Sequence, residues 1–317
     1  MSNNTNSTML EVANLNKRFG EVHAARDLNF SIRKGEILGF LGPNGAGKTT
    51  TMRIVTCFIP PTSGSVKVDG LDIRENDLEV RRKIGYLPEN APLYSDMLVG
   101  EYLRFVGEIR GMEGDTLTRR SDDMLRVCGL TAMANRQIGK LSKGFRQRVG
   151  LAQAMIHDPD LLILDEPMSG LDPNQIVEIR QLIKRIGREK TVIYCSHILS
   201  EVSATCRRIL IVNDGAIVAE GTPEELTSGM GTGNRYHLRV KGDRQSIESG
   251  IQAVQGVSNI TVEDSSGDWT AVHVFSDTTE DIGEKLFRCS VDNGWSLSEL
   301  RREAASLEDV FTQLTRG

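Results

Sequence analysis

Gly42-Pro43-Asn44-Gly45-Ala46-Gly47-Lys48-Thr49 is the stretch whose reading decides the fold. It fits the spacing G-x-x-x-x-G-K-[ST] and follows the apolar run Ile37–Leu41. After it, residues 49–58 carry apolar side chains at helical spacing until Pro60-Pro61 stops them. A strand, a glycine-rich turn and a helix in that order make a phosphate cradle. The glycines let successive amide hydrogens face phosphate oxygens, and the helix N-terminus adds positive potential. Lys48 would then reach the terminal phosphates, and the Thr49 hydroxyl can ligate magnesium.

Downstream, Leu161-Leu162-Ile163-Leu164-Asp165-Glu166-Pro167 is an apolar strand ending in two carboxylates, where a parallel sheet presents its ligands. Asp165 suits a magnesium shell. Glu166, one residue on, points elsewhere and suits a base that polarises an attacking water. Between the two lies Leu141-Ser142-Lys143-Gly144-Phe145-Arg146-Gln147-Arg148, which opens a helix; Ser142 on its own reads as an N-cap.

The surroundings set these motifs in an α/β frame. Residues 10–40 alternate in short apolar and polar runs, the pattern of strands, and 66–70 is a short strand with a turn. The block 88–156 reads as a helical insertion. Runs 161–164 and 192–195 flank an amphipathic helix carrying Ile176, Ile179, Leu182, Ile183 and Ile186, the βαβ rhythm of a parallel sheet. A hairpin follows around Asn213-Asp214-Gly215. At Gly229-Met230-Gly231-Thr232-Gly233 the pattern breaks, and the strands and helices beyond it run βαββαβ, with a last helix at 307–314. The expected domains are a tail at 1–9, a nucleotide-binding domain at 10–229 and a ferredoxin-like α+β domain at 230–317.

With 317 residues, 39% hydrophobic and 26% charged, the chain has a globular composition and the length of two domains. Residues 231–317 hold 9 Lys+Arg against 14 Asp+Glu, which accounts for the whole net charge of −5 and leaves 1–230 neutral. That balance argues against a nucleic-acid footprint, which shows as a strongly basic domain. The five cysteines contain no C-x-x-C pair and suggest neither a disulfide framework nor a zinc site, so a reducing cytoplasm is the expected compartment. The Asn/Ser/Thr-rich opening has neither a basic n-region nor an apolar h-region. No apolar run approaches the roughly 20 residues that span a bilayer.

Taken in order, the phosphate loop, Leu141 to Gln147, the strand ending at Asp165, Ser169-Gly170-Leu171-Asp172 and Ser196-His197 resemble the ATP-binding cassette family over residues 10–225. The resemblance implies ATP and Mg2+ as ligands and ATP hydrolysis as the activity. Gly42, Pro43, Asn44, Gly45, Ala46, Gly47, Lys48, Thr49 and Thr50 would hold the phosphates. Phe19 would stack on adenine with Val22 beside it. Thr49, Asp165 and Glu89 would bind the metal, with Glu89 standing where many members carry Gln. Lys48, Glu166 and His197 would be catalytic, His197 by holding the γ-phosphate and the water. Ser142 and Gly144 would close over the nucleotide of a second copy, and Asp172 would couple the two sites.

Lys143 and Phe145 replace the Gly and Gln common in that signature. This substitution, the segment 88–94, the helix at 100–110 and the end segment 306–311 resemble export-type (ABC-2) cassettes, including those of gliding-motility exporters, whose membrane halves are separate polypeptides. The expected role is therefore the ATPase subunit of an exporter, peripheral on the inner face of the membrane and partnered by a second copy of itself and an integral membrane permease. The rival is a soluble cassette switch acting on ribosomes or nucleic acid. One cassette in the chain and only 116 residues between Lys48 and Asp165 weigh against it. A scaffold without turnover would lack Glu166 or His197, and both are present.

Overall fold

The computed structural model describes residues 7–229, 234–264, 268–276, 278, 280–303 and 307–315. Packing divides the chain into Met1–Glu220 and Gly221–Gly317.

The first unit opens with two long strands, β1 (Thr8–Phe19) and β2 (Val22–Arg33), then β3 (Ile37–Leu41) and α1 (Lys48–Val55). There follow β4 (Ser63–Val68), β5 (Leu71–Asp72), α2 (Asp77–Lys83) and β6 (Ile84–Leu87). Helices α3 (Val99–Ile109), α4 (Gly114–Val127) and α5 (Lys143–Met155) form the insertion. The unit closes with β7 (Leu161–Asp165), α6 (Pro173–Ile186), β8 (Thr191–Ser196), α7 (Leu199–Thr205), β9 (Arg208–Asn213) and β10 (Ala216–Gly221).

Six strands make the main sheet in the order β10-β9-β3-β8-β7-β6, with β9, β3, β8, β7 and β6 running parallel to one another. β7 and β8 are buried at every position, as strands covered on both faces must be. β1, β2, β4 and β5 form a separate antiparallel sheet. Met9, expected in the tail, is only 2% exposed and packs in the core with Leu10 and Val12. Met9 therefore belongs to β1 rather than to the expected tail, because an apolar Met at a strand start is worth burying. Residues 88–98, expected to begin the helical insertion, form no helix; the first helix starts at Val99. The insertion then packs by amphipathic faces, with Leu117, Ser121, Met124 and Leu125 of α4 buried at helical spacing.

The second unit comprises α8 (Pro223–Gly229), β11 (Arg235–Lys241), α9 (Arg244–Gln252), β12 (Val257–Asp264), β13 (Thr270–Ser276), α10 (Gly283–Asp292), β14 (Ser296–Glu303) and α11 (Leu307–Thr315). Its sheet is antiparallel in the order β12-β13-β11-β14, the ferredoxin-like arrangement. Tyr236, Leu238 and Val240 alternate inward on β11 and pack with Ile247, Ile251 and Leu286 in a core of their own. α8 packs against α11, so the structural division falls before the glycine-rich stretch, of which residues 230–233 lie outside the described residues.

Candidate active site

The phosphate loop leaves the sheet at its topological switch point, since β3 pairs with β8 on one side and β9 on the other. Two glycines are required by contact. A Cβ on Gly42 would lie 2.2 Å from the Val212 carbonyl oxygen. Gly47, the N-cap of α1, has φ +95°, and a Cβ there would lie 2.1 Å from the Ala24 carbonyl oxygen. Ala24 is two residues beyond Val22 on β2, so the loop is braced by the strand that carries Val22. The first turn of α1 contains no acidic residue, leaving its amide hydrogens to an anion. Lys48 is buried, and its Nζ donates to the carbonyls of Gly42 (2.7 Å) and Pro43 (3.1 Å).

Asp165, at the end of β7, is 1% exposed and accepts a 2.9 Å hydrogen bond from Thr49 Oγ1 on Oδ2. Its other oxygen, Oδ1, is buried and takes no hydrogen bond among the described residues. Burial raises the Asp165 pKa; the Thr49 bond opposes the rise, Glu166 and Glu89 add to it, and Lys48 opposes it. A buried carboxylate with an orphaned oxygen beside a hydroxyl fits a magnesium ion, which takes one or two protein oxygens and completes its shell with phosphate and water. Glu89 is exposed just beyond β6, and its charge registers at Asp165. Thr49 and Asp165 would hold the ion, which when bound would neutralise charge on the terminal phosphates.

Glu166 turns sharply out of the strand, with φ +49° at a residue that is not glycine. Such a backbone costs about 1–3 kcal/mol and persists only when its surroundings hold it. Here the Glu166 amide donates to the Cys195 carbonyl at 3.0 Å, and its carbonyl accepts from the Ser169 amide at 3.1 Å. The turn sends the side chain toward the end of β8. Glu166 Oε1 lies 2.9 Å from His197 Nδ1 and 3.8 Å from Lys48 Nζ, so one oxygen faces both of the other expected catalytic groups. Oε2 faces Ser196 Oγ at 3.2 Å.

The remaining predicted residues stand apart from this cluster. Ser142 caps α5 by accepting from the Phe145 amide at 3.4 Å, and Asp172 caps α6 by accepting from the Gln175 amide at 3.0 Å. Gly144 is buried, with the Gln175 side chain where a Cβ would point. Among the described residues, neither Ser142 nor Asp172 makes a hydrogen bond to the phosphate loop. Asn44 and Gly45 are exposed at the loop tip, Ala46 is buried beneath it, and Thr50 is half-buried in α1. Phe19 and Val22 pair across the β1–β2 hairpin and are both exposed, with Lys17 Nζ 4.9 Å from the Phe19 ring centroid. Sequence reading missed the environment of Glu166 beyond His197: Ser196 touches it directly, and Glu201 and Tyr194 lie behind Ser196. The one signal was a Glu at the fourth position after His197.

A P-loop at a sheet switch point, with a carboxylate pair and a histidine converging on it, defines a nucleotide hydrolase of the cassette type. The family model described as "ABC transporter" matches residues 25–169. Linearmycin resistance ATP-binding protein LnrL of Bacillus subtilis (strain 168) is 32% identical over 308 residues, covering 97% of this chain and 98% of that one. Bacitracin transport ATP-binding protein BcrA of Bacillus licheniformis is 32% identical over 316 residues, covering 98% of each. The dimeric structure of the ATP-binding cassette MJ0796 bound to ADP and Pi matches with a TM-score of 0.62 at 28% identity, over 68% of this chain and 98% of that one. The chain belongs to the ABC transporter family. It is an ATP-binding protein of that family, and its activity is ATP hydrolysis coupled to transport.

Proposed function

We propose that the chain is the motor subunit of an exporter. It acts as a head-to-tail homodimer beneath a separate membrane permease, on the inner face of the membrane, with ATP and Mg2+ as ligands. The observation that carries this reading is the division of the expected site in two. Lys48, Thr49, Asp165, Glu166 and His197 converge in one place, while Ser142 and Asp172 are exposed at the starts of α5 and α6, with Gly144 in the first turn of α5. A second copy would bring the latter group over the nucleotide held by the former.

In the proposed step, water loses a proton to Glu166 and its oxygen bonds to the γ-phosphorus. The bond from that phosphorus to the ADP oxygen breaks, and ADP and phosphate leave. His197 holds the geometry and Lys48 the phosphate charge. Export is supported by the names of the two relatives, which concern linearmycin resistance and bacitracin transport. A separate permease is supported by the helices, since no helix among the described residues is long and apolar enough to cross a membrane.

The contact to the permease is assigned to a groove of about 350 Å³ lined by Tyr86, Pro92, Tyr94, Tyr102, Phe105 and Ile109. Tyr94 is 55% exposed and leans on Tyr102 and Phe105, with ring centroids 5.9 and 5.6 Å away. The segment begins at Glu89, whose charge adds to the burial that raises the Asp165 pKa, so a helix seated here would act on the proposed metal site through Glu89. Tyr94→Ala is expected to keep the melting temperature and basal hydrolysis of the isolated chain and to abolish the change in hydrolysis caused by the co-purifying membrane protein. A fall in melting temperature of several degrees together with basal activity would return Tyr94 to a packing role.

A further inference from the structure

Behind the carboxylate assigned as the base lies a second one that the proposed reaction does not use. Glu201, on α7, is 4% exposed. Its Oε2 accepts from Tyr194 OH at 3.0 Å and from Ser196 Oγ at 3.1 Å, and Tyr194 and Ser196 are themselves fully buried. Burial, with the Glu201 charge adding, pushes the Tyr194 phenol well above its ordinary range, so this donor keeps its proton.

Ser196 is the link between the two acids. Its oxygen accepts the Ile198 amide at 3.1 Å, which fixes its place. Its single proton faces two carboxylate oxygens at nearly equal range, Glu166 Oε2 at 3.2 Å and Glu201 Oε2 at 3.1 Å. A hydroxyl has one hydrogen to give, so it serves one acid at a time. If it turns to Glu166, the buried Glu201 is left with Tyr194 alone, and an under-bonded buried carboxylate is costly. If it turns to Glu201, the Glu166 carboxylate keeps its full charge for Oε1, the oxygen that faces His197 and Lys48.

We infer that Glu201 is a positioning residue for Glu166: it claims the Ser196 proton, so that no hydrogen bond at Oε2 draws charge from the carboxylate whose Oε1, facing His197 and Lys48, takes the proton of the attacking water. The inference rests on Glu166 being the base. Glu201 itself touches neither nucleotide nor water; it acts through Ser196.

The test is Glu201→Gln in the full chain, with kcat, ATP KM and melting temperature measured in the wild-type and Ser196→Ala backgrounds. A neutral amide oxygen competes less well than a carboxylate for the hydroxyl proton, so that proton turns to Glu166. The expected result is a kcat lower by about tenfold or more with KM unmoved. In the Ser196→Ala background no proton remains to redirect, and Glu201→Gln should change kcat by less than about twofold. Wild-type kcat in Glu201→Gln, or the same fold loss with and without Ser196, would overturn the inference.

Tyr194→Phe supplies the opposite sign and keeps the question decidable if Glu201→Gln does not fold. Removing the co-donor tightens the hold of Glu201 on the Ser196 proton, so kcat should move up rather than down, and a fall would contradict the account. Glu166→Gln run in parallel separates the two levels. If that variant hydrolyses at the wild-type rate, the base assignment fails; if it is dead while Glu201→Gln is unaffected, only the role of Glu201 fails.

Discussion

Lys48 is an ammonium taken out of water, and the carbonyls of Gly42 and Pro43 together with the Glu166 carboxylate compensate it. Those same partners hold it at the loop, where in the proposed site terminal phosphates would replace the carbonyls as its acceptors. Lys48→Ala should therefore weaken ATP binding by about 30-fold or more, the cost of losing a charge-assisted contact to phosphate. Titration calorimetry with ATP and Mg2+ checks this, and an unchanged affinity would remove Lys48 from the site. At this scale the phosphate loop was legible, because each glycine and the lysine answer a local need written in consecutive residues. The setting of Glu166 was not. Its left-handed turn and its contacts to Ser196 and His197 join residues 30 and 31 positions apart, and only the pairing of β7 with β8 brings them together. Glu201 is legible only once Ser196 is known to face inward.

Among the elements, α5 is tied to β6 by His157, just past the end of the helix. His157 Nε2 donates to the Ile84 carbonyl at 3.0 Å, while Nδ1 is buried with no partner among the described residues. Protonation would place an N–H at Nδ1 with nothing to accept it. Burial, then the Arg110 charge, accordingly lowers its pKa from 6.5 to about 4. The unfolded chain therefore binds more protons than the folded one between these values, and stability falls as pH drops through that window. The loss from this one group amounts to up to about 3 kcal/mol by pH 4. Chemical denaturation of His157→Gln at pH 7 and pH 4.5 should show that part of the pH dependence gone; an unchanged slope would mean that His157 is already charged when folded. Element existence was largely legible where periodicity was strong, as in α6, β7 and β8. The short helices α2 and α7, seven residues each, left too few turns for a pattern. The order β10-β9-β3-β8-β7-β6 was also hidden, because strand order is decided by crossovers rather than by local spacing.

For the whole molecule, two separate cores are the governing fact. The buried apolar cluster of the first unit runs from Met9 to Val212, and that of the second is built on Tyr236, Leu238 and Val240 with their own helices. We propose that the cassette folds alone, and that a chain ending at Gly221, which keeps all of β10, binds ATP and melts cooperatively. Insolubility or loss of ATP binding in that truncation would show that the acidic second unit is needed for the fold of the first. The composition break made two domains legible, but the position of the division was not, since α8 lies upstream of the glycines and packs with α11, at the far end of the chain.

The central claim is that ATP closes two copies over two shared sites and that Glu166 opens them by hydrolysis. It is tested most directly by light scattering of Glu166→Gln with saturating ATP and Mg2+. The account predicts an ATP-dependent species of twice the 35.0 kDa of one chain, with ATP retained and hydrolysis slowed by several orders of magnitude. A protein that binds ATP and remains at the mass of one chain would contradict it.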